Sequence, residues 1–224
     1  MIDNNDIIKT PWDSRAFGVD TYEILKVSEE VLDKIQTVPG HFTVKVDPLS
    51  SKQLLHEHGF YYSDTLIEPY CSRERFVFHA HDSVSISAVA GIEELLDICH
   101  GAFEHGRYHR DFNIKKEMAD LRYDNWLRDL HASGNCLALH YEGALAGFFG
   151  INKGKIVLHA LAEKFKGKGL AKYFWSIACK KLFEKGYEEL SSSVSACNVA
   201  VLNLYASLGF KFRNPCDIYH RMNS

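Results

Sequence analysis

The sequence lacks the features that mark membrane, secreted and nucleic-acid-binding proteins. Its apolar stretches are short and interrupted, so none of them predicts a membrane span. The opening segment MIDNNDIIKTPW carries acidic residues and no apolar core, and therefore predicts no secretory signal. The formal net charge of -3 argues against the basic surface that bulk nucleic-acid binding requires. We expect a cytoplasmic protein without membrane insertion or a nucleic-acid partner, and a homodimer stays open.

Signatures of disulfide frameworks are also missing, and no metal site is predicted. None of the six cysteines forms a C-x-x-C pair, and Cys136 and Cys179 lie in apolar segments, so we predict reduced thiols. The twelve histidines are more than usual, and His79 and His81 alternate on a strand-like segment. That spacing fits a metal pair and also fits two solvated histidines.

The sequence contains 46% hydrophobic and 25% charged residues, which is ordinary for a globular protein. The pattern of strand-like and helix-like apolar runs changes along the chain. It predicts a small α/β module over residues 1–82 and a larger domain over residues 83–224. In the module, alternating apolar residues predict a strand over residues 42–46. A helix over residues 49–58 would end at Gly59, a residue that suits a left-handed cap. Strands are predicted at TLIEPYC and RFVFH.

The larger domain shows the order helix, helix, three strands, helix, strand, helix, strand. Apolar residues with helical spacing begin at Ile92. The three strands are short, and Glu142-Gly143 and Lys153-Gly154 stand between them, which predicts an antiparallel meander. A strand–helix–strand crossover is added to that meander. The order therefore predicts an α/β (α+β) fold with a mixed, mostly antiparallel sheet flanked by helices.

The segment LAEKFKGKGLA, residues 161–171, joins a strand to a helix. The first backbone N–H groups of a helix have no intrahelical partner, and the helix dipole favours an anion there. Gly167 and Gly169 carry no side chain that would block close approach of a ligand. Four lysines add positive charge: Lys164, Lys166, Lys168 and Lys172. The segment predicts a phosphate or pyrophosphate site, and it matches neither the nucleotide P-loop nor the dinucleotide fingerprint.

A second pattern follows that helix and a strand. It begins at Asn198, continues as a periodic helix that contains Tyr205, and ends in Gly-Phe. In this order, the two patterns resemble the acetyl-CoA signatures of the GNAT acetyltransferases, over roughly residues 84–224. The usual loop reads Q/R-x-x-G-x-G/A, and Lys164 stands where Gln or Arg is usual.

The resemblance implies the GNAT fold and an N-acetyltransferase that moves an acetyl group from acetyl-CoA to an amine. It implies that Leu161 backbone groups pair with the pantetheine arm and that Asn198 forms a hydrogen bond with it. It also implies that Tyr205 protonates the departing thiolate. His159, on the preceding strand, is the candidate general base because the ordinary histidine pKa suits that task. The amides expected to hold the pyrophosphate belong to Lys166, Gly167, Lys168, Gly169, Leu170 and Ala171.

Structural roles fit the same residues. Asn198 is a natural helix cap, Tyr205 lies on the apolar stripe of its helix, and His159 lies on a mostly apolar strand. A non-catalytic CoA-binding module is the alternative from another functional class. The presence of both Asn198 and Tyr205 favours a working enzyme.

The acceptor is suggested by looser matches. Residues 11–19, PWDSRAFGV, resemble the opening of bacterial nucleotide-sugar N-acetyltransferases of the TDP-fucosamine type. Arg107, Tyr108 and Arg110 resemble the acceptor-side segment of that group, and guanidinium groups pair well with a diphosphate. Tyr108 and Phe112 offer rings for stacking, although a solvated surface loop fits too. The resemblance implies a nucleotide-linked amino-dideoxy sugar; a polyamine, antibiotic, amino acid or protein N-terminus is the alternative.

Overall fold

The computed structural model describes residues 6–88 and 90–223. Residues 1–5 lie outside the described residues. They form the start of the predicted N-terminal module and of the opening segment for which no secretory signal is predicted. The described chain divides into two compact units. The first unit takes the described residues of 1–66, 104–122 and 215–224, and the second takes those of 67–103 and 123–214. These units are discontinuous in sequence, whereas the predicted domains, 1–82 and 83–224, are continuous segments.

Short strands and helices alternate in the first unit. Its strands are β1 (Ile7–Lys9), β2 (Thr21–Ile24) and β3 (Gly40–Val46), and its helices are α1 (Pro11–Phe17), α2 (Glu29–Ile35) and α3 (Gln53–Glu57). Two long strands, β4 (Tyr61–Ser72) and β11 (Lys211–Asn223), contribute residues to both units. β1 runs antiparallel to β2, β2 runs parallel to β3, and β3 runs antiparallel to the end of β11.

Local chemistry explains where the helices of the first unit begin and end. Pro11 occupies the first turn of α1, and Gly18 ends that helix with a φ of 70°, a backbone conformation that favours glycine. The strand predicted over residues 42–46 and the cap predicted at Gly59 are confirmed. The helix predicted over residues 49–58 is shorter than expected. Asp47 explains the late start, because its carboxylate accepts the Leu49 N–H at 2.7 Å and holds a turn there.

The second unit contains most of the sheet and the longer helices. Its remaining strands are β5 (Val84–Ser87), β6 (Cys136–Tyr141), β7 (Ala144–Asn152), β8 (Lys155–Leu161), β9 (Glu189–Ser192) and β10 (Val194–Ser195). Its helices are α4 (Ile92–Cys99), α6 (Ala171–Glu184) and α7 (Val199–Ser207), while α5 (Lys116–Ala132) begins in the first unit and ends in the second.

The mixed, mostly antiparallel sheet predicted from the sequence is confirmed. β5 to β8 form an antiparallel meander, β8 runs parallel to β9, and β9 runs antiparallel to β4. Both residues of each predicted turn have positive φ, at 49° and 80° for Glu142-Gly143 and at 47° and 80° for Lys153-Gly154. Positive φ at both central residues is the requirement of a type I′ hairpin turn, which matches the twist of the flanking strands.

The strand predicted at RFVFH is wrong. A short 3₁₀ turn at Arg73–Arg75 interrupts the chain, and the residues after it form no strand. Their backbone groups find other partners, because the Val77 N–H donates to Leu208 O at 3.0 Å and the His79 N–H donates to Ser176 Oγ at 3.0 Å. Satisfied in this way, the segment does not need a neighbouring strand.

The main core of the second unit packs α6 and α7 against the sheet. Phe149, Phe174 and Tyr205 are fully buried there, each contributing roughly 1.5–3 kcal/mol from removal of apolar surface from water. The six cysteines form no disulfide. Four of them are buried, as predicted for core thiols, whereas Cys197 is exposed and Cys216 is partly exposed. In the described part of the chain, no helix combines the length and the apolar character that crossing a membrane demands.

Candidate acetyl-transfer site

The site begins where two parallel strands separate. β8 pairs with β9 only at Lys155 and Ile156, although β8 continues to Leu161. Ser192, the last residue of β9, donates a hydrogen bond from Oγ to Ile156 O at 2.8 Å, which ties the strands together at the point of separation. Beyond it, β10 pairs with β4 instead of β8. We call the opening beside residues 157–161 the fork.

The exposed edge of β8 at the fork consists of backbone groups. On its other side, β8 pairs with β7, and the Ala162 N–H donates to Ala146 O in β7 at 2.8 Å. Successive residues of a strand direct their backbone groups to opposite sides, so those of His159 and Leu161 face the fork. An extended chain of amides laid along this edge would pair with them as an added strand.

The loop after β8 presents unpaired N–H groups. Within the described residues, the backbone N–H groups of residues 167–172 donate no hydrogen bond. No side chain caps α6, although Ser28 caps α2 and Asn198 caps α7. Six consecutive unsatisfied donors at the start of a 14-residue helix form a site for an anion, strengthened by the helix dipole.

The two glycines of this loop allow both its shape and its accessibility. Gly167 and Gly169 each have a φ of 70°, and a Cβ added at either would meet no protein atom within 4 Å. The space in front of the amides is therefore open. Lys166 pairs with Glu163 at 2.9 Å, while Lys168 has no ion-pair partner in the described chain. Open backbone amides next to a lysine are the features that a phosphate site requires.

A histidine and a tyrosine meet on the inner side of the fork. His159 Nε2 lies 3.2 Å from Tyr205 Oη, which joins the two residues predicted to be catalytic. The imidazole ring lies between aromatic neighbours, with the Trp175 ring edge-on at 4.7 Å and the Phe149 ring at 6.1 Å. The register explains the second contact, because His159 and Phe149 stand opposite each other on β8 and β7.

This apolar surrounding shifts both titrations. Burial lowers the pKa of His159 to about 4, so the ring is neutral at pH 7. Burial raises the pKa of the Tyr205 phenol far above its ordinary value, so the hydroxyl keeps its proton at neutral pH. At neutral pH the pair is therefore a protonated phenol beside an unprotonated imidazole, an arrangement in which the phenol can donate to Nε2.

Asn198 uses half of its amide in the fold. Its Oδ1 accepts the Val201 N–H at 3.2 Å and caps α7, which is the structural role considered from the sequence. Its Nδ2 group has no acceptor among the described residues. Capping and ligand binding are therefore compatible, because they use different atoms of the side chain.

The residues predicted to bind the acceptor lie in the first unit and have protein partners. Arg110 forms an ion pair with the buried Asp64 at 2.8 Å. Tyr108 is only 2% exposed, and its hydroxyl donates to Asp13 at 2.9 Å. The Arg107 guanidinium lies over the Tyr108 ring at 4.8 Å. The predicted stacking of Tyr108 on a ligand does not fit this burial, whereas Phe112 is 79% exposed.

Several site residues escaped the sequence analysis. Trp175 lies on the buried side of α6, where the periodicity could have indicated it, and its Nε1 is buried without an acceptor in the described chain. Ser192 carries no signal in the sequence, because its role depends on where β9 ends. The backbone edge of the fork is equally invisible, since strand separation has no side-chain signature.

The described residues fit a ligand that joins a pyrophosphate to an extended amide chain. The unpaired amides of residues 167–172 suit the pyrophosphate, and the fork suits the amide chain. This combination has the chemical order of coenzyme A, in which the reactive sulfur follows the amides. The fork runs back from the loop along β8, past Leu161 to His159. A ligand with its pyrophosphate at the loop would therefore place its sulfur near His159 and Tyr205.

The chain resembles several solved acetyltransferase structures. A GCN5-related N-acetyltransferase from Sphaerobacter thermophilus superposes with a TM-score of 0.65 at 10% identity, over 96% of this chain and 76% of that one. One from Kribbella flavida gives 0.58 at 13%, over 92% and 82%. A GNAT-family acetyltransferase from Colwellia psychrerythraea gives 0.55 at 13%, over 90% and 78%. At these identities the likeness shows a shared fold.

The sequence profile is more specific. Among curated proteins, no sequence matches this chain. The profile of the Acetyltransferase (GNAT) family matches residues 92–210, which is more than half of the 224 residues and includes the fork, the loop and Tyr205. The chain therefore belongs to the GNAT family of acetyltransferases.

Proposed function

We propose that the fork and the loop bind acetyl-CoA and that Tyr205 and His159 move the protons of acetyl transfer. The observation that carries the proposal is the 3.2 Å contact between Tyr205 Oη and His159 Nε2 beside an edge of unpaired strand backbone. Acetyl-CoA supplies the acetyl group as a thioester. The amides of Gly167, Lys168, Gly169, Leu170 and Ala171 hold its pyrophosphate, while Leu161 backbone groups and Asn198 Nδ2 hold its pantetheine arm. The Lys166 N–H, which the sequence also assigned to the pyrophosphate, donates instead to Glu163 O at 3.1 Å and closes the turn before the loop.

Tyr205 is the proton donor in this proposal. Its raised pKa keeps the proton on Oη until negative charge develops on the departing sulfur. Burial helps this proton transfer, because water does not compete with the Tyr205 hydroxyl for the hydrogen bond to the sulfur. Tyr205 then regains a proton through the hydrogen bond that it shares with His159.

His159 is the proton acceptor. Its lowered pKa leaves Nε2 unprotonated at neutral pH, which a base requires, but also makes it a weak base. A weak base suffices once the amine nitrogen has bonded to the acetyl carbon, because that nitrogen is then far more acidic than a free ammonium group. The proton lost by the amine passes to His159 and on to Tyr205, and the original phenol proton ends on sulfur.

For the acceptor, we propose a nucleotide-linked amino-dideoxy sugar. The support is the similarity of residues 11–19 to the TDP-fucosamine acetyltransferase group, together with the neighbouring Arg107 and Arg110 and the exposed Phe112 ring. Arg110 would have to share its guanidinium between Asp64 and a diphosphate, which its remaining donors permit. The absence of disulfides among the cysteines suits a reducing cytoplasm.

Changing Tyr205 to Phe removes the proton donor and keeps the ring. We expect kcat to fall by about 100-fold while the KM for acetyl-CoA stays within roughly twofold, since the hydroxyl acts on the departing sulfur. Release of CoA thiol measures both constants. Tyr173→Phe, on α6, is the matched control and should leave kcat unaltered. An unchanged kcat in Tyr205→Phe would rule out the assignment.

The neutral state of His159 has a measurable pH signature. Well above pH 6.5 the His159 ring is neutral in both the folded and the unfolded chain. As the pH falls from 6.5 to about 4, the unfolded chain takes up the proton and the folded chain does not, so the free energy of unfolding decreases. Denaturant unfolding should show this loss in the wild type and a smaller one in His159→Gln. An NMR signal of the His159 imidazole that titrates near pH 6.5, identified by its absence in His159→Gln, would contradict this prediction.

The acceptor is tested with a panel of amines in the CoA-release assay. It includes a TDP-4-amino-4,6-dideoxy sugar, a polyamine, an aminoglycoside and a peptide with a free N-terminus. We expect turnover of the nucleotide sugar and a KM raised by about tenfold or more in Arg107→Gln, since a charged hydrogen-bonded contact is lost. Turnover of another amine would replace this acceptor, and acetyl-CoA binding without any turnover would favour a non-catalytic module.

A further inference from the structure

Asp111 is a buried carboxylate of the first unit that has no arginine partner, unlike two other buried aspartates of that unit. Asp13, Asp64 and Asp111 are all at most 3% exposed. Asp13 pairs with Arg122 at 2.6 Å and Asp64 pairs with Arg110 at 2.8 Å. In the described chain, by contrast, no arginine or lysine lies within 4 Å of Asp111. A buried carboxylate needs a positive partner, because desolvation of a lone charge is costly.

Two imidazole rings contact Asp111 where the other two aspartates contact a guanidinium group. Asp111 Oδ2 lies 2.9 Å from His41 Nε2 and 2.7 Å from His220 Nδ1. His41 and His220 are 1% and 0% exposed, and the three ligand atoms lie within 4.8 Å of one another. We propose that His41, Asp111 and His220 bind a divalent transition-metal ion, with Zn²⁺ as the preferred ion.

The strand register brings the two imidazole rings to one face. His220 stands opposite Thr43, and Met222 stands opposite His41, in the antiparallel pair of β3 and β11. Opposite residues share a face, as do residues two apart on a strand, so His41 and His220 are diagonal neighbours on the same face. Rigid paired strands thus hold both nitrogen ligands, which favours a defined site over a flexible one.

The carboxylate is held as a metal ligand would be. Its other oxygen, Oδ1, accepts the Tyr61 hydroxyl at 2.8 Å and the Asn113 N–H at 2.8 Å. These bonds fix Asp111 so that Oδ2 faces both imidazole rings, which is the supporting role of outer-shell partners around a metal. His220 is fixed through Nδ1 alone, since its Nε2 is buried without a partner in the described residues.

The donor set selects the ion. Two imidazole nitrogens and one carboxylate oxygen suit Zn²⁺, Co²⁺ or Fe²⁺ better than Mg²⁺ or Ca²⁺, which prefer oxygen. With ligand distances of about 2.0–2.1 Å, the donor atoms of a tetrahedral zinc site lie roughly 3.3 Å apart. The present spacings of 2.7 and 2.9 Å therefore need to widen by about half an ångström. Aromatic rings enclose the site, with Tyr108 stacked on His220 at 5.3 Å.

The decisive experiment uses the full-length wild-type chain, purified without a histidine tag. We expect about one equivalent of zinc per chain by elemental analysis, a melting temperature lowered by several degrees in EDTA, and its recovery with ZnCl₂. Replacement by Co²⁺ should give visible d–d absorption. Absence of bound metal, with no effect of EDTA, ZnCl₂ or Co²⁺, would overturn the proposal.

Matched variants separate metal loss from misfolding. Asp111→Asn keeps the side-chain size and should abolish both the zinc content and the response to ZnCl₂. Asp120→Asn is the control, because Asp120 is also buried in the first unit and also contacts a histidine, His109, at 2.8 Å. It should retain zinc at the wild-type level. Equal zinc content in Asp111→Asn and the wild type would place the metal elsewhere and refute this site.

Discussion

β8 and β9 are held together at Lys155 and Ile156 and separate immediately afterwards. A sheet normally satisfies its backbone groups with a neighbouring strand, so this separation leaves a strand edge beside residues 157–161 that a ligand can complete. Everything else in the site depends on it. The loop after β8 takes its position from the end of that strand, and Tyr205 Oη lies 3.2 Å from His159 Nε2 on the strand itself.

The unpaired donors of residues 167–172 extend the same principle from strand to helix. An uncapped helix start costs stability unless something accepts its N–H groups, and here no side chain does. Strand edge and helix start together define a ligand with an amide chain at one end and an anion at the other. Unlike the metal proposed for the first unit, the proposed ligand would be bound mainly by backbone groups.

The sequence predicted the order of elements from α4 onwards in the larger domain, because turns such as Glu142-Gly143 and Lys153-Gly154 mark it locally. It missed β5, a four-residue strand that is defined by its pairing with β6. It also predicted the loop, since the glycines and lysines that form it are close together in the sequence. Gly167 and Gly169 have the positive φ that such a loop requires. It missed the separation of β8 from β9, which depends on strand pairing across distant segments. The buried cluster of His41, Asp111 and His220 was missed for the same reason, because its members are separated by 70 and 109 residues.

The central claim is that backbone groups of the fork and the loop bind the two ends of coenzyme A. The most direct test follows backbone amide signals of the ¹⁵N-labelled wild type by NMR, during titration with CoA and separately with pantetheine. The account predicts the largest CoA-induced shifts at residues 167–172 and at His159 and Leu161, whereas pantetheine, which lacks the pyrophosphate, should shift only the latter two. Shifts confined to other segments, or none at saturating CoA, would contradict it.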